Sequence, residues 1–337
     1  MMINQIVAVG SVDGILTTAA LLRMLGRDSW GFFNPTFIDG INLQFCQAFT
    51  VDKIDVSAWQ PGRKVAFIDL AVNNRDPQMT RDFVVRIREG GHQIVAICDE
   101  HSRIDWLNTI GVDDFGGLEI KPESQAEGIF KSSGAVLKNW MGASDTLNNR
   151  QYDGTGYLSD DHLVDLMDAA DAGDRMDFSN HFGGVVNQAV KSAIADDSRR
   201  VYLARHFAEH KKPDEKITGW MKEYEKILLN HHQMMIDKED LGNGIFRAST
   251  VGMVVDMTTL MKSFYGEGIR VVILEGEMYD KAAGCKTRQI SFGSEKLDIL
   301  SAIKAVVPSA SGFAQKANVA PEHEAAALAA VRALLAN

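Results

Sequence analysis

The chain has 337 residues, enough for two domains and a sizeable core, and its 45% apolar and 24% charged residues are an ordinary balance for a globular protein. A formal net charge of -10 at pH 7 argues against broad electrostatic binding of duplex nucleic acid but leaves room for a small phosphorylated substrate held by a few local groups. No apolar run approaches the ~18 residues of a membrane span, no basic stretch followed by an apolar one opens the chain, and three scattered cysteines (Cys46, Cys98, Cys285) give neither a disulfide framework nor a zinc-ligand spacing. The expectation is a cytoplasmic protein away from membranes.

Residues 3 to 9 read as a first strand, Gly10 to Gly14 as a turn, and Leu16 to Leu25 as a helix closed by Gly26. Short strands are expected at 36–38 and 48–51, and Trp59 to Gly62 reads as a turn. Val65 to Ile68 is a second buried strand, 76–89 a helix with Met79, Phe83, Val84 and Ile87 on one face, and Ile94 to Cys98 a third buried strand. Strands alternating with helices in this way make βαβ units and a parallel sheet. Helices are expected at 125–141, carrying Ser132-Ser133, and at 160–172, which ends among Asp168, Asp171 and Asp174. Residues 181–235 read as helical, with a charged corner at Glu209 to Pro213 and a long connecting helix from Trp220 to Ile236. A second, smaller α/β domain starts near Gly242. Its strands are expected at 245–248, 269–274 and 287–292, and its helices at 254–264, 297–306 and 322–335. The domain boundaries read from this pattern are 1–195, a helical connector at 196–241, and 242–337.

Each of the three buried strands of the first domain runs into an aspartate: Asp13, Asp69 and Asp99. Ligands of open α/β sheets sit at the carboxyl ends of the strands. Three carboxylates gathered there repel one another unless something positive lies between them, and a divalent cation is the usual answer. One aspartate alone would be read as a helix cap. Three in succession, the last followed by Glu100 and His101, read as a site. His231 and His232, adjacent on a helix, point about 100° apart, so they are expected at the surface or between domains rather than on one ion.

The order of these parts resembles the DHH phosphoesterase family over most of the chain. The strand–turn–Asp–Gly–helix from Val7 to Leu22 is similar to the family's first motif and Phe67 to Leu70 to its second. Asp99-Glu100-His101 is similar to the DHH triplet, the Ser132-Ser133 helix to the one that follows it, and Asp168 or Asp171 to the fourth motif. The resemblance implies a two-domain enzyme that uses Mn²⁺ or Mg²⁺ to direct a hydroxide at phosphorus. It assigns Asp13, Asp69, Asp99 and, of the two helix-end acids, preferably Asp171 to the metal. Glu100 replaces a histidine ligand, and His101 contacts phosphate or assists proton transfer. Ser11, Ser311 and Gly312 are the matching candidates for substrate, and Lys286 and Arg288 are the nearest candidates for a replacement phosphate clamp, with Lys304 and Lys316 beside them.

The chain also departs from the pattern. Val9 and Ser11 stand where the first motif has His and Asp, Gly293 where the second domain has an Arg, and Val307 where its glycine-rich loop ends in His. These losses make one ion a better expectation than two. The first functional expectation is a metal-dependent phosphoester or phosphoanhydride hydrolase acting on small nucleotides, short single-stranded oligonucleotides or polyphosphate, with a homodimer left open. The alternative is a non-hydrolytic relative that keeps the fold as a nucleotide-binding or protein-interaction module.

Overall fold

The computed structural model describes residues 3–28, 32–101, 103–110, 132–143, 160–193, 196–280 and 285–336. The chain divides into two compact units, Met1–Met221 and Lys222–Asn337.

The first unit runs β1 (Gln5–Val9), α1 (Val12–Leu25), β2 (Asn42–Cys46), β3 (Lys64–Ile68), α2 (Pro77–Glu89), β4 (Gln93–Cys98), α3 (Arg103–Ile110), α4 (Ser133–Ala143), α5 (Asp161–Asp174), α6 (His181–Lys191) and α7 (Asp197–Glu209). Its sheet has four strands in the order β2-β1-β3-β4, all parallel. β1 and β3 are apolar at successive positions because both faces are covered. Ile6, Ala8, Ala66 and Ile68 face a core built with α1 and α4 to α7. Val7, Val65 and Phe67 face a second core with α2 and α3, where Phe67 stacks on Phe83 at 5.8 Å and on Trp106 at 5.7 Å. Each valine, isoleucine or phenylalanine among them contributes roughly 1.5–3 kcal/mol by leaving water.

The strands expected at 36–38 and 48–51 are instead 3₁₀ turns, Pro35–Phe37 and Ala48–Lys53. Asn34 caps the first from its side chain, and Gln47 and Thr50 cap the second reciprocally. The strand lies between them as β2, which pairs with β1 only and carries Asn42 and Gln44 among Leu43 and Phe45. An edge strand needs no continuous apolar run, so this one left a weak signal. The helix expected from 125 begins at Ser133 in the described part, and residues 125–131 lie outside the described residues. The 181–235 stretch is broken twice, after α6 and at the exposed corner around Lys211-Lys212-Pro213.

A long helix, α8 (Glu215–Asp237), carries the division between the units within its length. The second unit continues with β5 (Glu239–Asp240), β6 (Ile245–Ser249), α9 (Met257–Gly266), β7 (Val271–Asp280), β8 (Cys285–Gly293), α10 (Ile299–Lys304), β9 (Ser311–Phe313), β10 (Lys316–Val319) and α11 (Glu324–Ala336). Its sheet has six strands in the order β5-β6-β7-β8-β10-β9, with only β6 and β7 parallel. Ile273, Ile290 and Phe292 face α10 and α11, while Val272 and Leu274 face α9. No described helix of the chain is long and apolar enough to cross a membrane.

Candidate metal centre

The carboxyl ends of β1, β3 and β4 lie side by side in the first unit, and the residues that follow them form an acidic cluster. After β1 the chain turns through Gly10 to Ser11, which caps α1. Its Oγ accepts from the Gly14 amide at 2.8 Å and donates to Asp69 Oδ2 at 2.5 Å. Ser11 thus holds the turn and one carboxylate of the cluster with a single hydroxyl. Gly14 is required by close approach, since a β-carbon there would lie 2.2 Å from the Val9 carbonyl oxygen.

Asp13 sits in the first turn of α1 and is buried. It accepts from the Ser133 amide at 2.9 Å, the Gly134 amide at 3.2 Å and Thr17 Oγ1 at 2.9 Å, so it also anchors the start of α4. Burial pushes its carboxyl up to about 6 despite these donors. Asp69, just past β3, has a left-handed backbone (φ 54°), while its amide donates to the Cys98 carbonyl at 2.8 Å. Burial, then the charges of Asp13 and Glu100, raise its carboxyl well above the usual range.

Asp99 is fully buried past β4; its Oδ1 bonds His101 Nδ1 at 2.8 Å and its Oδ2 accepts from Trp106 Nε1 at 3.3 Å. Glu100 Oε1 lies 3.2 Å from His101 Nδ1, whereas its Oε2 is buried with no hydrogen-bond partner. Burial and the charges of Asp99 and Asp13 push Glu100 up to about 7. The hydrogen bond to Asp99 drives His101 up to about 9, so the half-exposed imidazole is cationic at neutral pH.

These side chains form two overlapping groups, Asp69–Asp99–Glu100–His101 and Asp13–Glu100–Asp174. In each, one ligand atom per residue lies within 4.8 Å of the others. All donors but His101 are carboxylate oxygens, the set a hard divalent cation prefers. The orphaned Glu100 oxygen and the raised carboxyls are what such a set looks like without its counter-charge. The residues present therefore fit a divalent ion.

The acid that joins Asp13 and Glu100 is Asp174, not Asp171. Asp171 accepts from Ser132 Oγ at 2.8 Å and is ion-paired with Arg175, and Asp168 pairs with Lys138 at 2.6 Å. Asp174 closes α5 one helical turn beyond Asp171 and is reachable by the same i,i+3 reasoning, but nothing local distinguishes it. Trp106, whose indole reaches Asp99, had no signal in the sequence beyond its bulk.

The candidates in the second unit are placed differently. Arg288 is exposed and bonds Glu275 at 3.3 Å, within a network that includes Arg247 and Glu324. Ser311 and Gly312 are exposed on β9. Gly312 has φ 142°, and a β-carbon there would lie 2.0 Å from the Lys316 carbonyl oxygen, which gives it a backbone reason to be glycine. At Gly293 a β-carbon would meet Met261 at 2.5 Å and the Tyr265 hydroxyl at 2.8 Å, so the flexible ends of these two side chains occupy the space a larger residue would enter. His231 is buried, with Nε2 accepting from the Asp256 amide at 3.0 Å, a packing role within the second unit; His232 is exposed.

No protein-family model matches the chain, and no curated protein matches it in sequence. Solved structures do. The fold is similar to that of a pGpG-specific phosphodiesterase, PggH, from Vibrio cholerae, with a TM-score of 0.58 over 98% of both chains at 13% identity. It is also similar to the DHH domain of a member of a family of ribosomal proteins, with a TM-score of 0.50 at 11% identity over 98% of this chain and 86% of that one. At such identities the likeness concerns the fold.

Proposed function

We propose, from the premise that this chain has the DHH phosphoesterase fold, that it is a cytoplasmic, metal-dependent hydrolase of small phosphate esters or anhydrides, with nucleotides and short single-stranded oligonucleotides as its substrate class. One observation carries the reading: a buried, unpartnered Glu100 oxygen stands among carboxylates that burial and mutual repulsion push toward protonation. Asp69, Asp99 and Glu100 would hold one Mn²⁺ or Mg²⁺, and Asp13 and Asp174 complete the acidic wall; Asp174 takes the place the sequence offered to Asp171. A bound divalent ion supplies a deprotonated water and neutralises charge on the phosphate.

The chain's own residues do the rest. Ser11 fixes the Asp69 carboxylate, and the Ser133 and Gly134 amides fix Asp13. His101, oriented through Nδ1 by Asp99, presents its other ring nitrogen as a charged donor to a phosphate oxygen. The free thiols of Cys46 and Cys98 fit a reducing compartment, and the net charge of -10 favours small substrates over duplex nucleic acid.

The test is hydrolysis of dinucleotides, short oligonucleotides and polyphosphate by the Mn²⁺-loaded protein beside its Asp69→Asn and Asp99→Asn variants. Turnover by the wild type alone supports the reading. A second reading, a nucleotide-binding or interaction module without hydrolysis, draws on the filled space at Gly293 and the engagement of Arg288 by Glu275. It predicts Mn²⁺ binding with no turnover on any of the three substrate types.

A further inference from the structure

A buried tryptophan carries an N–H into the core, and that group needs an acceptor. Trp106 of α3 is fully buried, and the acceptor the structure gives its Nε1 is Asp99 Oδ2 at 3.3 Å. The ring itself is set by the second core of the first unit rather than by the acid. It stacks on Phe67 of β3 with centroids 5.7 Å apart and planes inclined by 27°, and Phe67 stacks in turn on Phe83 of α2. Phe67 stands two residues before Asp69. One indole therefore packs on the strand end that leads to Asp69 and holds the carboxylate that follows β4.

The other oxygen of Asp99, Oδ1, meets His101 Nδ1 at 2.8 Å, so the carboxylate cannot turn without breaking a bond on one side or the other. A carboxylate oxygen has room for a donor and a cation together. The kind of donor matters. Asp160 has two guanidinium groups against it, which cancel its charge. An indole N–H is neutral, does not titrate and does not ligate a metal, so it fixes the Asp99 carboxylate without cancelling its charge. The Ser11 hydroxyl on Asp69 and the Ser133 and Gly134 amides on Asp13 are neutral donors of the same kind.

We propose that Trp106 is a positioning residue of the candidate metal centre: its indole N–H, carried on a ring locked against Phe67, holds Asp99 in the orientation in which it meets a divalent ion together with Asp69 and Glu100. The inference rests on the metal-dependent reading above and adds to it a residue that no motif of the family resemblance supplied. A tryptophan with only a packing role would stabilise the fold and leave the affinity for the ion alone.

The experiment is calorimetric titration of Mn²⁺ into the metal-stripped full chain beside Trp106→Phe and Trp59→Phe. Trp59 is the control. Its ring belongs to the same core, its Nε1 donates to Gln44 Oε1 at 2.9 Å, and it stacks on His92, which precedes β4, whereas the acids follow that strand. Each variant loses part of a buried ring and one hydrogen bond, and each is expected to lower the midpoint in urea. Mn²⁺ affinity is expected to fall about ten- to a hundredfold in Trp106→Phe, the scale for losing a group that orients a metal ligand. It stays within about twofold in Trp59→Phe, as for a separate site. Wild-type binding matched by Trp106→Phe, or an equal loss in both variants, would overturn the positioning role and leave the metal centre standing. Failure of the wild type to bind Mn²⁺ would overturn the metal-dependent reading and this inference with it. Should Trp106→Phe not fold, the indole N–H resonances of the ¹⁵N-labelled wild type carry the test. The Trp106 signal is expected to move on saturation with diamagnetic Mg²⁺ while the Trp59 signal stays, and an unmoved Trp106 signal would overturn the proposal.

Discussion

Two acidic corners of the first unit are buried to a similar degree and behave in opposite ways. Asp160, at the start of α5, has a side chain 7% exposed, lies 2.7 Å from both Arg23 Nε and Arg27 Nη2, and accepts the His162 amide at 3.1 Å. Burial pushes its carboxyl up, but the two guanidinium groups outweigh that and hold it below the usual range. Asp13, Asp69 and Glu100 have hydroxyls, amides and one imidazole around them but no arginine or lysine partner among the described residues, and all three are pushed up. The same chain that delivers two arginines to one aspartate delivers none, among the described residues, to Asp13, Asp69 or Glu100. A buried carboxylate with its own cation is structural, and a buried cluster without one is the arrangement on which the proposed metal site rests.

The contrast can be broken from either side. The largest expected effect is on the cluster: Asp69→Asn or Asp99→Asn lowers turnover of a phosphodiester substrate by about a thousandfold or more, since loss of a charge-stabilising group at a reacting centre costs on the order of 3–4 kcal/mol. Turnover within tenfold of wild type in both variants would remove the cluster from the chemistry. Next comes the paired corner. Arg23→Met leaves Asp160 buried with half its compensation and destabilises the protein by roughly 3 kcal/mol, read as a lower midpoint in urea, while Mn²⁺ affinity stays the same. The triple variant Arg23→Met/Arg27→Met/Asp160→Leu recovers part of that loss, because both guanidinium groups leave together with the carboxylate they face.

pH sharpens the comparison further. In the metal-free protein, folded Asp13 keeps its proton between pH 3.8 and about 6, Glu100 between 4.5 and about 7, and His101 between 6.5 and about 9, where the unfolded chain has released it. The folded state binds more protons throughout, so each contribution is present at the acid end and is lost as pH rises. The melting temperature of the chelated protein should fall by several degrees, roughly 4–8 °C, from pH 5 to pH 8. Mn²⁺ should raise it more at pH 8 than at pH 5, because the ion competes with fewer protons. A metal-free melting temperature that climbs over this range would contradict the assignment. The smallest effect is Glu100→Gln, which removes one repelling charge and should stabilise the chelated protein by about 1 kcal/mol at pH 8 and by little at pH 5.

The sequence made the centre of the sheet legible because β1, β3 and β4 bury their side chains deeply and each hands the chain to an acid. β2 was hidden because it is an edge strand with polar residues at alternate positions, and its neighbours, rich in β-formers, are capped into 3₁₀ turns. Asp174 was hidden because three acids at one helix end are equivalent in one dimension. Only Arg175 and Ser132 closing on Asp171 leave Asp174 to Asp13 and Glu100. The substitution at 293 was visible as a departure, but its meaning was not. The ends of the Met261 and Tyr265 side chains lie over that backbone, a packing that a list of motifs does not contain.

The most direct test of the central claim is calorimetric titration of Mn²⁺ into the metal-stripped full chain, beside Asp69→Asn and Asp99→Asn at pH 7.5. The account predicts saturable binding of one ion per chain, abolished in both variants while their folding is retained. Absence of saturable binding to the wild type, or undiminished binding in both variants, would contradict it.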